Sequence, residues 1–193
     1  MKVSFSNTFE ADISFSNYLA LSNTRMLAFY TKIEPKLRTL GIALKTVTKI
    51  TKIGRAAAGG ISSYAWIIML IHYLQQIDQL PVLQELYEGS TKPTNLVNGW
   101  NVWYQNDLSV INRLWKPANP SQSVGEMWLG FLRYYLFEFN RDKYVVTIRQ
   151  KKLLIRFVKM WRSLFAIEGI SIQNKLTLYF QHISSSVSIS DGK

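Results

Sequence analysis

Cysteine is absent from the 193 residues, which excludes a disulfide framework and any thiolate metal site and fits a reducing compartment. Histidine is nearly absent. His72 and His182 stand far apart with no ligand spacing around them, so no zinc or other histidine–cysteine centre is expected. Acidic residues are scarce, 12 against 23 Lys and Arg, for a formal net charge of +11. Such an excess favours a polyanionic partner, whether nucleic acid, nucleotide phosphates or a membrane surface, without choosing among them. Long apolar runs are missing too. The run across residues 61–77 is too short for a bilayer and is broken by Tyr64, His72, Tyr73 and Gln75-Gln76, so a buried helix is expected there and no membrane partner. The amino terminus lacks the apolar core of a signal peptide. No internal repeat, Walker-type loop or Ser/His/Asp set can be picked out.

What remains is a chain 48% hydrophobic and 13% aromatic, ample for the packed core of one domain or a domain with a fragment of another. Its most informative stretch is Gly59-Gly60-Ile61-Ser62-Ser63-Tyr64. Two glycines end what precedes, and a Ser pair stands where a helix N-cap belongs, its hydroxyls able to accept from free backbone N–H groups. A helix start of this kind suits an anion, and Tyr64 beside it offers a ring on which a base can stack. An ordinary capped core helix accounts for the same residues.

In chain order, Lys2–Phe5 and Ala11–Phe15 alternate as two short strands around a polar turn. Asp12 falls on the face opposite Ile13 and Phe15, either as a solvated strand residue or as a metal-binding carboxylate. Asn17–Tyr30 carries apolar residues at helical spacing and ends before Pro35, which suits the first turn of a helix running to Ile53. Leu37, Leu40, Leu44 and Val47 form its apolar face; Lys45, Lys49 and Lys52 share another side, as a solvated face or as a row facing phosphate. Residues 80–87 read as a connector and short helix, 88–99 as loop, and Trp100–Tyr104 as a short strand or a loop packed on the core. Ser123 with Glu126 makes a capping box. The helix after it, through Phe139, is apolar around most of its circumference and expected to be buried. Tyr144–Ile148 is β-branched and expected as a strand. Gln150–Phe165 spaces Leu153, Leu154, Phe157, Val158 and Trp161 on one face and basic residues on the other, an amphipathic helix compatible with solvent, RNA backbone or a membrane surface. The Ser-rich end is expected to fray.

The order of several motifs resembles a family. Asp12-Ile13-Ser14-Phe15, Leu21–Leu27, Ile33–Arg38, Lys45 and Lys49, Gly60–Tyr64, Pro81–Gln84, Asp107 and Ser123–Tyr135 together resemble terminal RNA uridylyltransferases of the DNA polymerase β-like nucleotidyltransferase superfamily, zinc-knuckle type. The resemblance covers roughly residues 1–168. It implies an α+β, predominantly helical fold: a helical PAP-associated (OAS-like) domain with a remnant β-hairpin of the catalytic sheet. Residues 1–16 would be the last strand pair of the catalytic domain and 17–150 the nucleotide-binding domain. Residues 151–168 would be a basic helix returning to the catalytic domain, and 169–193 a divergent, flexible tail. It implies UTP and an RNA 3′ end as partners, magnesium or manganese as cofactor, and a cytoplasmic setting. Asp12 matches the third catalytic, metal-binding carboxylate. Asn17 matches a base-contacting amide, Asn23 and Thr24 ribose contacts, Lys45 and Lys49 triphosphate lysines, Ser63 a triphosphate hydroxyl, and Tyr64 the ring stacked on uracil. The sequence departs from the family in two places. The first two carboxylates of the triad have no counterpart in it, and Ala166-Ile167-Glu168 continues as Gly169-Ile170-Ser171 where a further carboxylate and a base-selecting histidine belong. Terminal uridylyl transfer with incomplete catalytic machinery is therefore the expected function; adenylyl transfer and a non-catalytic nucleotide- or RNA-binding module are the alternatives.

Overall fold

The computed structural model describes residues 2–5, 9–13, 15–54 and 60–156. Strands β1 (Lys2–Phe5) and β2 (Phe9–Asp12) pair antiparallel, Lys2 opposite Asp12 and Phe5 opposite Phe9. The second strand thus lies nearer the turn than the alternation of Ala11–Phe15 suggests. The ladder runs from the Phe5–Phe9 pair to the Lys2–Asp12 pair, and Ile13 and Phe15 fall beyond it.

Helix α1 (Tyr18–Ile33) is capped by Asn17, whose Oδ1 accepts from Ala20 N at 3.1 Å. It stops at Glu34, ahead of Pro35. Proline has no N–H to continue a helix but suits the first turn of the next, α2 (Lys36–Ile50), with φ −59°. Glu34 Oε1 accepts from Lys36 N at 3.0 Å in place of an ordinary cap. The buried stripe of α2 is Leu37, Leu40, Leu44 and Thr48. Thr48 takes the place expected for Val47, its hydroxyl satisfied by donation to Lys45 O at 3.1 Å. The helix ends three residues before the expected Ile53, because Lys52 turns left-handed (φ 59°) and Gly54 N bonds back to Thr48 O.

Ser62, extended at φ −63° and ψ 153°, caps α3 (Ser63–Gln76) by accepting from Ala65 N at 3.2 Å. Trp66, Leu70, Ile71, Tyr73 and Leu74 make α3 the core helix, packed on α2 and α5. After it the short helix expected at residues 80–87 does not form. Pro81 lacks a donor, Gln79 N and Leu80 N both turn back to Leu74 O, and the Leu83 carbonyl accepts from Gln105 N rather than from a following turn. Strands β3 (Leu96–Val97) and β4 (Trp100–Asn101) form a hairpin through Asn98-Gly99. Both turn residues have positive φ, 51° and 79°, the geometry that two-residue hairpin loops favour.

Helix α4 (Leu108–Leu114), capped by Asp107 Oδ1 on Ser109 N at 2.8 Å, is too short for periodicity to reveal. Helix α5 (Val124–Arg133) starts on the expected capping box: Ser123 N donates to Glu126 Oε2 at 2.7 Å and Glu126 N to Ser123 Oγ at 3.2 Å. It widens to a π turn over Tyr134–Glu138. This element is not buried all round. Met127, Phe131 and Leu132 face the core, while Leu129 and Phe137 are 67% and 81% exposed, because α5 meets the core along one side only.

The last described pairing, β5 (Tyr144–Val145) with β6 (Leu154–Ile155), corrects two expectations. The strand at residues 144–148 is cut short because the carbonyls of Thr147 and Ile148 turn to side chains of α3. The amphipathic helix from Gln150 does not form over 150–156: Leu154 and Ile155 pair instead with Val145 and Tyr144, a tertiary partner that local spacing cannot reveal. The rest of that helix and the tail lie outside the described residues. The described fold is the predominantly helical α+β arrangement expected.

Candidate functional site

Two constraints bring the end of α2 to the start of α3. Ile61 N donates to Ile53 O at 3.0 Å at one end. At the other end, Lys36 Nζ donates to the carbonyls of Pro120 and Gln122 at 3.0 and 2.8 Å while Ala118 N donates to Asp78 O just past α3. The helices therefore run antiparallel, and Lys45 and Lys49, exposed and one turn apart, sit toward the positive end of α3. Ser62 is engaged as the cap. Ser63, the first helical residue, is exposed with its hydroxyl outside the cap.

Beside this end opens a cleft of about 360 Å³. One wall is α1, through Leu19, Ser22, Asn23 and Met26; a second is Tyr64 and Ile68 of α3; the third comprises Trp100, Asn101 and Trp103 with Arg149. Tyr64 is half-exposed, and partial burial raises its phenol pKa above the usual 10.0, so the ring is neutral at physiological pH. Gln84 closes the floor. Its Nε2 lies 3.0 Å from Met26 Sδ, and its buried Oε1 has no partner among the described residues.

Of the residues singled out in the sequence, Asn23 and Tyr64 line this cleft together. Ser63, Lys45 and Lys49 lie at the adjoining α2–α3 end. Asn17 and Thr24 are outside the lining, and both have committed atoms: Asn17 Oδ1 to the α1 cap, and the Thr24 hydroxyl proton to Ala20 O at 2.8 Å. Asp12 closes β2 opposite Lys2. Among the described residues no group of three or more His, Cys, Asp and Glu is placed to hold a metal ion. The donors brought together among the described residues are therefore too few for a two-ion centre.

The third wall was not legible as a site. Its one sequence signal is the Asn98-Gly99 turn, which marks a hairpin but not where that hairpin docks. Asn101 builds the wall: Oδ1 accepts from Asn95 N at 2.9 Å and Trp103 N at 3.0 Å, and Nδ2 donates to Pro93 O at 3.2 Å. Arg149, just ahead of the stretch expected as a helix from Gln150, donates from Nη2 to Asn101 O at 2.9 Å. The segment carrying Arg149 is tied to the core by the buried His72. A carbonyl only accepts, so Nδ1–H donates to Thr147 O at 2.7 Å, and Nε2 accepts from the Tyr134 hydroxyl at 3.2 Å. Burial lowers the His72 pKa, opposed by the bond to Thr147. His72 is thus a core histidine with both ring nitrogens satisfied. No described helix is long and apolar enough to cross a membrane.

Residues 123–178 match the family described as Cid1 family poly A polymerase. The human terminal uridylyltransferase 7 is 41% identical over 161 residues, covering 82% of this chain and 11% of that protein. Human terminal uridylyltransferase 4 is 45% identical over 157 residues, covering 80% and 10%. The chain thus spans about a tenth of the length of these curated relatives. The structure of Cid1 in complex with the UTP analog UMPNPP superposes with a TM-score of 0.67 at 30% identity, over 80% of this chain and 48% of that one. The structure of a cytoplasmic RNA terminal U-transferase does so with a TM-score of 0.65 at 30% identity, over 80% and 47%. The chain is a homologue of the terminal uridylyltransferases and carries a PAP-associated segment of the Cid1 family.

Proposed function

We propose that this chain supplies the nucleotide-binding part of an RNA 3′-terminal uridylyltransferase and holds UTP in the cleft between α1, Tyr64 and the β3–β4 hairpin. The observation that carries the reading is the meeting of Asn23 and Tyr64 in one cleft beside the lysine-flanked start of α3. The solved homologue bound to a UTP analogue supports it.

In this reading Tyr64 stacks on the base as a neutral ring. Lys45 and Lys49 neutralise the triphosphate, helped by the dipole end of α3, and Ser63 donates its free hydroxyl to a phosphate oxygen. Asn23 meets the ribose. Thr24, whose proton is already given to Ala20, accepts from a ribose hydroxyl. Asn17 contributes its Nδ2 to the base, since Oδ1 caps α1. Asp12 stands for one carboxylate of a magnesium or manganese site, and the described residues do not complete that site. We therefore read the 193-residue chain by itself as binding UTP without transferring it, with an RNA 3′ end and a cytoplasmic setting as its context. The lack of a described metal cluster equally favours a non-catalytic nucleotide-binding module.

Calorimetry with UTP and ATP on the wild type, Tyr64→Ala and Lys45→Ala tests the site. Binding of UTP that both substitutions weaken is expected; binding that neither affects refutes the assignment. Metal-dependent incorporation of UTP into RNA by the chain alone would refute its catalytic incompleteness.

A further inference from the structure

Trp100 is the least explained aromatic of the cleft. It is 63% exposed, and no ring among the described residues packs against it, whereas Trp103 three residues on packs edge-on against Tyr87 at 6.3 Å. A large indole left in solvent on a flexible loop would be unremarked. This one is held in place. The two-residue turn with positive φ at Asn98 and Gly99 fixes the hairpin tip, and Asn101 next door makes three side-chain hydrogen bonds to the loop backbone and accepts a fourth from Arg149 through its carbonyl. The ring therefore lines the cleft on a braced support and stands free of Tyr64, its aromatic counterpart on another wall.

We propose that Trp100 is a second stacking platform, which takes the 3′-terminal nucleobase of a single-stranded RNA while Tyr64 takes the base of the free nucleotide. The inference rests on the nucleotide-binding reading of the cleft and deepens it. An RNA rather than a second free nucleotide is favoured by the cation on the same wall of the cleft. Arg149 spends one donor on Asn101 O, and its remaining guanidinium N–H groups are available to a backbone phosphate. Lys45, Lys49 and the α3 terminus, the groups suited to a triphosphate, belong to the other side of the site. Stacking on an indole tolerates any base, which suits an acceptor strand of open sequence.

The test is fluorescence anisotropy of a 5′-labelled single-stranded oligouridylate with the full chain, as wild type, Trp100→Ala and Trp100→Phe, alongside calorimetry with UTP. A second oligonucleotide ends in an abasic 3′ nucleotide. Trp100→Ala is expected to weaken binding of the intact strand by about five- to hundredfold, with Trp100→Phe retaining most of the affinity. The abasic end is expected to cost the wild type a similar factor and the Ala variant almost nothing, and Trp100→Ala is expected to weaken binding of the intact strand by a larger factor than binding of UTP. Equal affinity of wild type for the intact and abasic strands would overturn the inference without recourse to any variant. So would a Trp100→Ala chain that loses UTP and RNA together, which would place the ring in the nucleotide site. Wild-type chain that binds UTP but no oligonucleotide would overturn the inference alone; binding of neither would sink the functional reading with it.

Discussion

Substituting Gly130 by alanine pits two effects of opposite sign against each other. In an exposed helix interior the change gains about 1 kcal/mol, since alanine loses less backbone entropy on folding. In α5, however, a Cβ at this position would lie 2.0 Å from the Tyr73 hydroxyl oxygen and 3.0 Å from Cζ. A hydroxyl at the end of a side chain can often swing aside. Tyr73 has little room to do so: it is 4% exposed, with its ring edge-on to Phe131 at 6.1 Å and tilted against Tyr134 at 5.6 Å. Forcing one methyl into an overlap this deep costs about 2–3 kcal/mol, the upper part of the range for overpacking, and the propensity gain of about 1 kcal/mol offsets part of it. A net destabilisation of about 1–2 kcal/mol is expected, lowering Tm by roughly 2–8 °C for a chain of this size. Urea denaturation of wild type, Gly130→Ala, Tyr73→Phe and the double variant measures it. Tyr73→Phe removes the 2.0 Å contact but leaves the ring carbon at 3.0 Å, so the double variant should recover part of the loss and show a coupling between the sites. A Gly130→Ala chain more stable than wild type by the full helix-propensity gain would refute the claim that α5 and α3 approach too closely for any side chain at this position.

Four further outcomes follow from the same contacts. Because burial holds the His72 pKa below 6.5, the unfolded chain binds its proton first as pH falls. Stability should therefore decline from about pH 7 down to the folded pKa, and denaturation at two pH values should show a smaller decline in His72→Gln. Ser123→Ala removes the hydroxyl half of the capping box and should cost about 1 kcal/mol by urea denaturation, with the fold otherwise intact. Gly99→Ala meets no neighbour within 4 Å but must hold φ near 79°, so a loss of about 1–2 kcal/mol should come from backbone strain alone. A Gly99→Asn variant, better suited to positive φ, should recover part of that loss. In calorimetry, Lys45→Ala should weaken UTP binding progressively less as salt rises, whereas the effect of Tyr64→Ala should be largely insensitive to salt.

By itself the sequence determined whatever depends on residues near one another along the chain. Ser62 and the Ser123–Glu126 pair mark helix starts because a capping oxygen reaches only two or three residues ahead, and both are where the structure has them. Pro35 separates α1 from α2 for the same local reason, and the spacing of Leu37, Leu40 and Leu44 fixes the buried side of α2. The order of short motifs was legible as a family resemblance, and with it Asn23 and Tyr64, which come from separate helices into one cleft. Tertiary structure alone decided the rest. Leu154 and Ile155 carry a helical spacing yet form a strand, because their partners Tyr144 and Val145 lie about ten residues upstream and the gain from pairing outweighs local preference. Thr147 and Ile148 read as strand yet give their carbonyls to His72 and Gln75, from a helix 75 and 73 residues away. Trp100 and Arg149 became part of the site only when the hairpin folded onto the cleft and Asn101 joined them. No periodicity or cap encodes that contact, which depends on where two distant backbones meet.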